Sequence, residues 1–209
     1  MGLYAHAVFP LLCDLSMSAS RISDVRRSLL GPITGEVIEI GFGTGLNLPH
    51  YSSRVRRLVG VDVNPGMSER AERRAATAPF TVERHTLSGE RLPMADASFD
   101  AAVCTWTLCS IETVDSALTE IRRVLRPQGR LYFAEHGTSP SARVRRWQRR
   151  LTPVQRWLAD GCRLDRDIPA LIRSAGFSIV ELHTFDLAGA PRTHGHFYVG
   201  VAVPVIADA

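Results

Sequence analysis

The sequence predicts an α/β fold on a mainly parallel sheet, and three observations carry that prediction. Short β-branched runs alternate with amphipathic helical stretches along 209 residues, the rhythm of strand–helix–strand units. One early run, Glu36-Val37-Ile38-Glu39-Ile40, passes directly into Gly41-Phe42-Gly43-Thr44-Gly45. The next, Leu58 to Val63, carries Asp62 near its end.

The elements follow in order. Residues 3–17 are apolar but interrupted at Pro10, and read as a segment packing over something. Residues 21–30 place Ile22, Val25, Leu29 and Leu30 on one helical side. After the first two strands, Pro65 opens a helix over 65–78. Phe80 to Arg84 and Asp100 to Thr105 are the third and fourth strands. Val114, Ala117, Leu118, Ile121, Val124 and Leu125 share a helix face, closed by Arg126-Pro127-Gln128-Gly129. Leu131 to Ala134 is the fifth strand. A helix over 167–175 ends at Gly176, and two strands follow, Phe177–Leu182 and Phe197–Val203.

A chain of this length suits one domain. Its net charge of +4 is a mild excess, which permits an anionic partner without implying nucleic acid. Cys13, Cys104, Cys109 and Cys162 form no C-x-x-C pair, so no zinc ribbon or redox dithiol is expected, and a reducing, cytoplasmic compartment fits. The N-terminus does not read as a signal peptide. No run reaches the ~20 apolar residues of a spanning helix.

A strand ending in Gly-x-Gly-x-Gly is a nucleotide or nucleoside site, because glycines let the backbone turn sharply and approach a ligand. The dinucleotide fingerprint requires a third glycine at 46, where the chain has Leu46. The form here is Glu39-x-Gly41-x-Gly43-x-Gly45, which resembles motif I of the class I S-adenosylmethionine-dependent methyltransferases. Asp62, seventeen residues after Gly45, suits the ribose hydroxyls in either cofactor class.

The resemblance continues. Ser88-Gly89-Glu90-Arg91-Leu92-Pro93 is similar to the segment beside the adenine, with Ser88 where many relatives have Asp, so that the Gly89 and Glu90 amides are expected to serve. Arg123-Val124-Leu125-Arg126-Pro127-Gln128-Gly129 is similar to the family's RVLRPGG. A narrower likeness, to the small thiol methyltransferases and their bacterial relatives described as phospholipid methyltransferases, rests on Cys104-Thr105-Trp106-Thr107-Leu108-Cys109-Ser110, Ala134-Glu135-His136-Gly137, Asp160-Gly161-Cys162-Arg163-Leu164 and Pro191 to Gly200. The animal members carry an N-terminal membrane anchor that this sequence is expected to lack.

The resemblance implies a Rossmann-like sandwich with a seven-stranded, mainly parallel sheet whose last strand is antiparallel. It implies one methyltransferase domain over 1–209, with a cap at 1–30 and an insertion or lid at 139–165. S-adenosyl-L-methionine is the implied cofactor, held by Glu39, Gly41, Gly43, Gly45, Asp62, Val63, Met67, Gly89, Glu90, Thr105 and Trp106. The acceptor is a small molecule, best read as a thiol, with a phospholipid amine as the alternative. A cofactor-binding protein without turnover is a further reading.

His136, after the fifth strand, is the candidate general base, since imidazole titrates near neutrality; the alternative is a loop-ordering histidine. Asp160 is a weaker candidate. Cys162 and Cys109 read as packing, and Trp106 and Leu108 as either core or a wall for the donor methyl. His194 and His196 alternate at strand spacing, with no further ligands evident for a metal.

Residues 139–162 set Val144, Trp147, Leu151, Val154, Trp157 and Leu158 at helical spacing among Arg143, Arg145, Arg146, Arg149, Arg150 and Arg156, with a bend or restart at Pro153. This segment reads as a covering helix with a solvated arginine face, as a substrate lid, or as a peripheral contact with anionic membrane. Nucleic acid is not expected, because the aromatics share the apolar stripe.

Overall fold

The computed structural model describes Asp14, Met17 and residues 20–65 and 68–205. The apolar run over 3–17 lies outside the described residues except for Asp14 and Met17, as does Met67.

Helix α1 (Ser20–Leu30) precedes β1 (Gly35–Ile40), β2 (Val55–Asp62), α2 (Ser68–Ala75), β3 (Thr81–Thr86) and β4 (Phe99–Thr105). Then come α3 (Val114–Val124), β5 (Leu125–His136), α4 (Ala142–Leu158), α5 (Ile168–Ser174), β6 (Phe177–Asp186) and β7 (His196–Pro204). The strands form one seven-stranded sheet in the order β3-β2-β1-β4-β5-β7-β6. Neighbours run parallel except at β7, which is antiparallel to β5 and β6. The expected architecture is therefore present.

The central strands are apolar on both sides because helices cover both faces. Ile38, Ile40, Val59, Val61, Ala102 and Cys104 pack with Val114, Leu118, Ile121 and Ile172 of α3 and α5. The alternate positions Val37, Leu58, Ala101 and Val103 pack with Leu29 and Leu30 of α1 and Ala71 of α2. Two cores thus flank one sheet. The order reverses between β1 and β4, and the crevice beyond their C-terminal ends is where open sheets of this kind take ligands.

The motif around Arg123 has a structural task. Its guanidinium donates to the Leu92 and Met94 carbonyls and pairs with Glu120 at 2.8 Å, fixing the loop after the adenine-side segment. Strand β5 begins at Leu125, directly after α3, so Arg126 to Gly129 belong to an irregular start of the strand and not to a helix end.

The arginine-rich segment differs from expectation. Helix α4 runs through Pro153 without interruption, and its buried residues are Gln148 and Thr152. Gln148 anchors it by donating to the Gly137 and Thr193 carbonyls and accepting from the Ser139 amide. The apolar stripe faces outward: Trp157 is 83% exposed, Val154 56% and Trp147 50%. A covering helix with an apolar underside is thus not what forms. His194 also departs from strand spacing. It lies in the Pro191–Gly195 turn and meets Gln155 Oε1 at 3.2 Å, while His196 meets Asp186 at 2.9 Å.

Candidate active site

A cavity of about 770 Å³ opens at the C-terminal ends of β1, β2, β3 and β4. The glycine loop is its floor. Gly41 and Gly45 both have φ +79°, a left-handed conformation that glycine adopts without strain. A side chain at Gly41 would collide with Thr107, whereas at Gly43 (φ +55°) the nearest atom stands at 3.9 Å. Gly41 is thus small for packing, and Gly43 leaves room for a ligand to approach the backbone.

Asp62 sits at the end of β2. Its Oδ2 accepts from the Gly43 amide at 2.7 Å and its Oδ1 from the Asn64 amide at 2.8 Å. Each oxygen keeps a lone pair for a ligand hydroxyl. Burial raises its pKa despite those amides, with nearby Asp160 adding to the rise.

Glu39 borders the cavity yet is 1% exposed. Tyr51 donates to it at 2.6 Å and Asn47 at 2.9 Å. Burial lifts its pKa to about 7, against the pull of those donors and of Arg26. The Arg26 side chain donates to Asn47 at 2.8 Å, stacks over the Trp106 ring at 4.6 Å, and has its pKa drawn down to about 10 by burial. Asn47 in turn donates to Thr105 at 2.9 Å. Sequence reasoning missed Arg26, Asn47 and Tyr51. An arginine on a surface helix and polar residues in a loop carry no signal of a buried network.

Val63, Gly89, Glu90, Thr105 and Trp106, named from the sequence as cofactor residues, all border the cavity. Gly45 does not; it turns the chain, close to Leu48 and Ala71. The Glu90 amide is already taken by Ser88 Oγ at 3.2 Å, so of the two amides expected beside the adenine only that of Gly89 is left for a ligand. Trp106 walls the cavity, whereas Leu108 is fully buried core. The far wall comes from the last turn of α4 and the segment after it: Arg156, then Asp160, Gly161, Arg163 and Arg166. Arg166 donates to the carbonyls of Leu108, Ile111 and Glu112 and so fixes that wall to the turn after β4.

His136 stands behind this wall and does not border the cavity. Its Nε2 meets Cys162 Sγ at 3.1 Å, and its Nδ1 is buried without a partner among the described residues. Burial lowers its pKa, but Cys162 and Glu135 more than offset this and the net shift is upward. The Cys162 thiol is pushed far up by neighbouring Cys109 and by burial, which disfavours a nucleophilic thiolate.

The methyltransferase-domain family profile matches residues 38–133. The human thiol S-methyltransferase TMT1B is 32% identical over 188 residues, 83% of this chain and 77% of that protein. The chain belongs to the class I S-adenosylmethionine-dependent methyltransferases. The rat thiol S-methyltransferase TMT1B is 36% identical over 150 residues, 70% of this chain, and the match spans 61% of that relative's length. A demethylmenaquinone methyltransferase of Beutenbergia cavernae is 35% identical over 114 residues, 54% of this chain and 46% of that protein.

Solved structures agree on the fold. Geranyl diphosphate methyltransferase superposes with TM-score 0.69 at 13% identity, covering 93% of this chain and 89% of that one. The [4+2]-cyclase SpnF superposes with TM-score 0.72 at 18% identity, covering 98% and 95%. That fold also hosts a cyclase, so architecture alone does not dictate methyl transfer.

The residues lining the cavity fit the family's cofactor. The volume lies within the ~300–1,000 Å³ usual for small-ligand sites. Open space at Gly43, free lone pairs on Asp62 and the buried Trp106 indole N–H, which has no hydrogen-bond partner among the described residues, are features that a polar nucleoside would complete.

Proposed function

We propose that this protein methylates the sulfur of a small, partly apolar thiol. The observation that carries this reading is the extent of the likeness. The match to the human thiol S-methyltransferase covers 83% of the chain, whereas that to the menaquinone-type enzyme covers 54%. The longer match therefore reaches beyond the shared cofactor-binding half.

Bound S-adenosylmethionine supplies a methyl group already activated on a sulfonium. In this reading Asp62 accepts both ribose hydroxyls, the Gly89 amide and Leu87 flank the adenine, and Glu39, held by Asn47 and Tyr51, receives the ammonium. Trp106 and Thr105 border the reacting centre. The acceptor enters against Arg156, Asp160 and Arg163. Alignment is the protein's main contribution, worth effective molarities of ~10⁵ M or more in well-oriented systems. A thiol with a pKa near ~8.5 is already partly ionised at neutral pH and needs little help in losing its proton. Labelled donor offered with aliphatic thiols, phenols and lipid amines tests this: label on the thiol is expected. Label only on lipid amine overturns the thiol, and cofactor binding without transfer to any acceptor favours a binding protein.

The outward face of α4 favours a second element, a peripheral contact with anionic membrane that would present amphiphilic acceptors. Trp147, Leu151, Val154, Trp157 and Leu158 are exposed beside Arg146, Arg149, Arg150 and Arg156, and the helix carries no acidic residue. Indole rings at the headgroup level with arginines over anionic lipid suit such a surface. No described helix is long and apolar enough to cross a membrane. Co-sedimentation with phosphatidylserine vesicles, but not phosphatidylcholine ones, is expected, and should be lost in Trp147→Ser/Trp157→Ser. Equal recovery with both lipids, or with neither, removes the contact.

A further inference from the structure

Three segments carrying the narrower family likeness meet at one place. Cys109 follows β4, His136 ends β5 and Cys162 follows α4, and their ligand-capable atoms all lie within 4.8 Å of one another. Cys109 is 2% exposed and Cys162 9%. Neither cysteine borders the large cavity, so this cluster is separate from the donor's place.

We propose that Cys109, His136 and Cys162 form a binding site for one thiophilic d¹⁰ cation of the zinc class. Two sulfurs and one imidazole nitrogen, with no carboxylate, are a soft to borderline donor set that favours zinc over magnesium or calcium. Three protein ligands leave the fourth tetrahedral position for water or another small donor. Coordination displaces the two thiol protons to solvent, and the divalent charge is balanced by two thiolates, which suits a buried site.

The positions are built by the backbone before any ion arrives. The Arg163 amide donates to the Cys109 carbonyl at 3.0 Å, and the Cys162 amide to the Ala159 carbonyl at 2.9 Å. Gly161 lies so close to the Ser110 carbonyl that a Cβ would stand 3.0 Å from it. Arg166 binds three carbonyls of the 108–112 turn. Without an ion the donors turn to one another and to weak contacts: His136 Nε2 meets Cys162 Sγ at 3.1 Å, Cys109 Sγ has Ser110 Oγ at 3.6 Å, and Gln155 stands 3.8 Å from Cys162 Sγ. An ion here would rivet the 159–166 segment, which walls the acceptor side, to the ends of two strands. It does so whatever the acceptor is.

The test uses the reduced, chelator-treated full chain and Cd²⁺ as probe, followed by its thiolate-to-metal charge-transfer band, with Zn²⁺ competition against a chromophoric chelator. A band saturating at one equivalent and displaced by Zn²⁺ is expected. Cys109→Ala and Cys162→Ala should each weaken it by more than the ~10–100-fold that loss of a supporting contact costs, and His136→Gln should weaken affinity while keeping both thiolate contributions. A wild-type titration without a band overturns the site, and needs no variant to fold. A band undiminished in the Cys109→Ala/Cys162→Ala double variant overturns it too.

Discussion

Replacing Glu39 with glutamine should make the cofactor-free protein less sensitive to rising pH. Burial carries the Glu39 carboxyl from its ordinary 4.5 to about 7. Between those values the folded chain holds a proton that the unfolded chain has released. Stability is therefore full below pH ~4.5 and falls as pH climbs through ~7. At ~1.4 kcal/mol per pH unit the loss attributable to this residue is about 3 kcal/mol, or roughly 6–12 °C in melting temperature for a domain of this size. Glutamine is nearly isosteric, its carbonyl can still accept from Asn47, and its amide can donate to the Tyr51 oxygen. Thermal unfolding of both proteins at pH 5 to 8 reads the difference directly. A slope remains in the variant, because buried Glu135 is also raised to about 7. If wild type and Glu39→Gln lose the same number of degrees across that range, the buried carboxylate does not carry the penalty assigned to it.

Other outcomes follow from the same geometry. Cofactor binding near pH 6 should release a proton, since an ammonium beside Glu39 favours the ionised carboxylate; calorimetry in buffers of different ionisation enthalpy measures it, and equal heats in all buffers would contradict the placement. Asp62→Ala removes the acceptor of two ribose hydroxyls, each worth ~1.5–3 kcal/mol to a charged group, so affinity should drop by at least about 100-fold, with an unchanged titration isotherm as the contrary result. Gly43→Ala is expected to impair cofactor binding more than folding, and Gly41→Ala to impair both, because only the latter collides with Thr107; melts and titrations separate the two. His136→Ala should leave cofactor affinity unchanged, as the ring is off the cavity wall. A fall in kcat together with loss of an imidazole-like limb in the pH profile would restore it as the base.

The sheet was legible in the sequence because its signals are local. A β-branched run ending in glycines and an acidic residue closing the next strand each mark an element without reference to the rest. The cofactor side followed from the same motifs, and Gly41, Asp62 and Trp106 do border the cavity. Of the three readings of helix α4, the covering helix fails for a physical reason: periodicity identifies an apolar face but not which way it points. Here Gln148 binds the Gly137 and Thr193 carbonyls, and that anchor turns the tryptophans outward. The Glu39–Asn47–Tyr51–Arg26 network and the Cys109–His136–Cys162 cluster were illegible because each joins residues from separate elements. Intervals of 27 and 26 residues between the cluster's members obey no spacing rule.

Asp14 holds the glycine loop from outside the sheet. Its carboxylate accepts from Thr44 of the glycine loop and pairs with Arg70 at 2.7 Å and Arg74 at 3.0 Å, and Met17, three residues on, borders the cavity. Asp14 thereby ties the chain ahead of α1 to the glycine loop and to α2. With the Asp14 side chain 11% exposed, these pairs are screened by salt far less than surface ones. The glycine loop is therefore held from outside the sheet as well as from within it, by a tie that persists at ionic strengths that loosen exposed pairs.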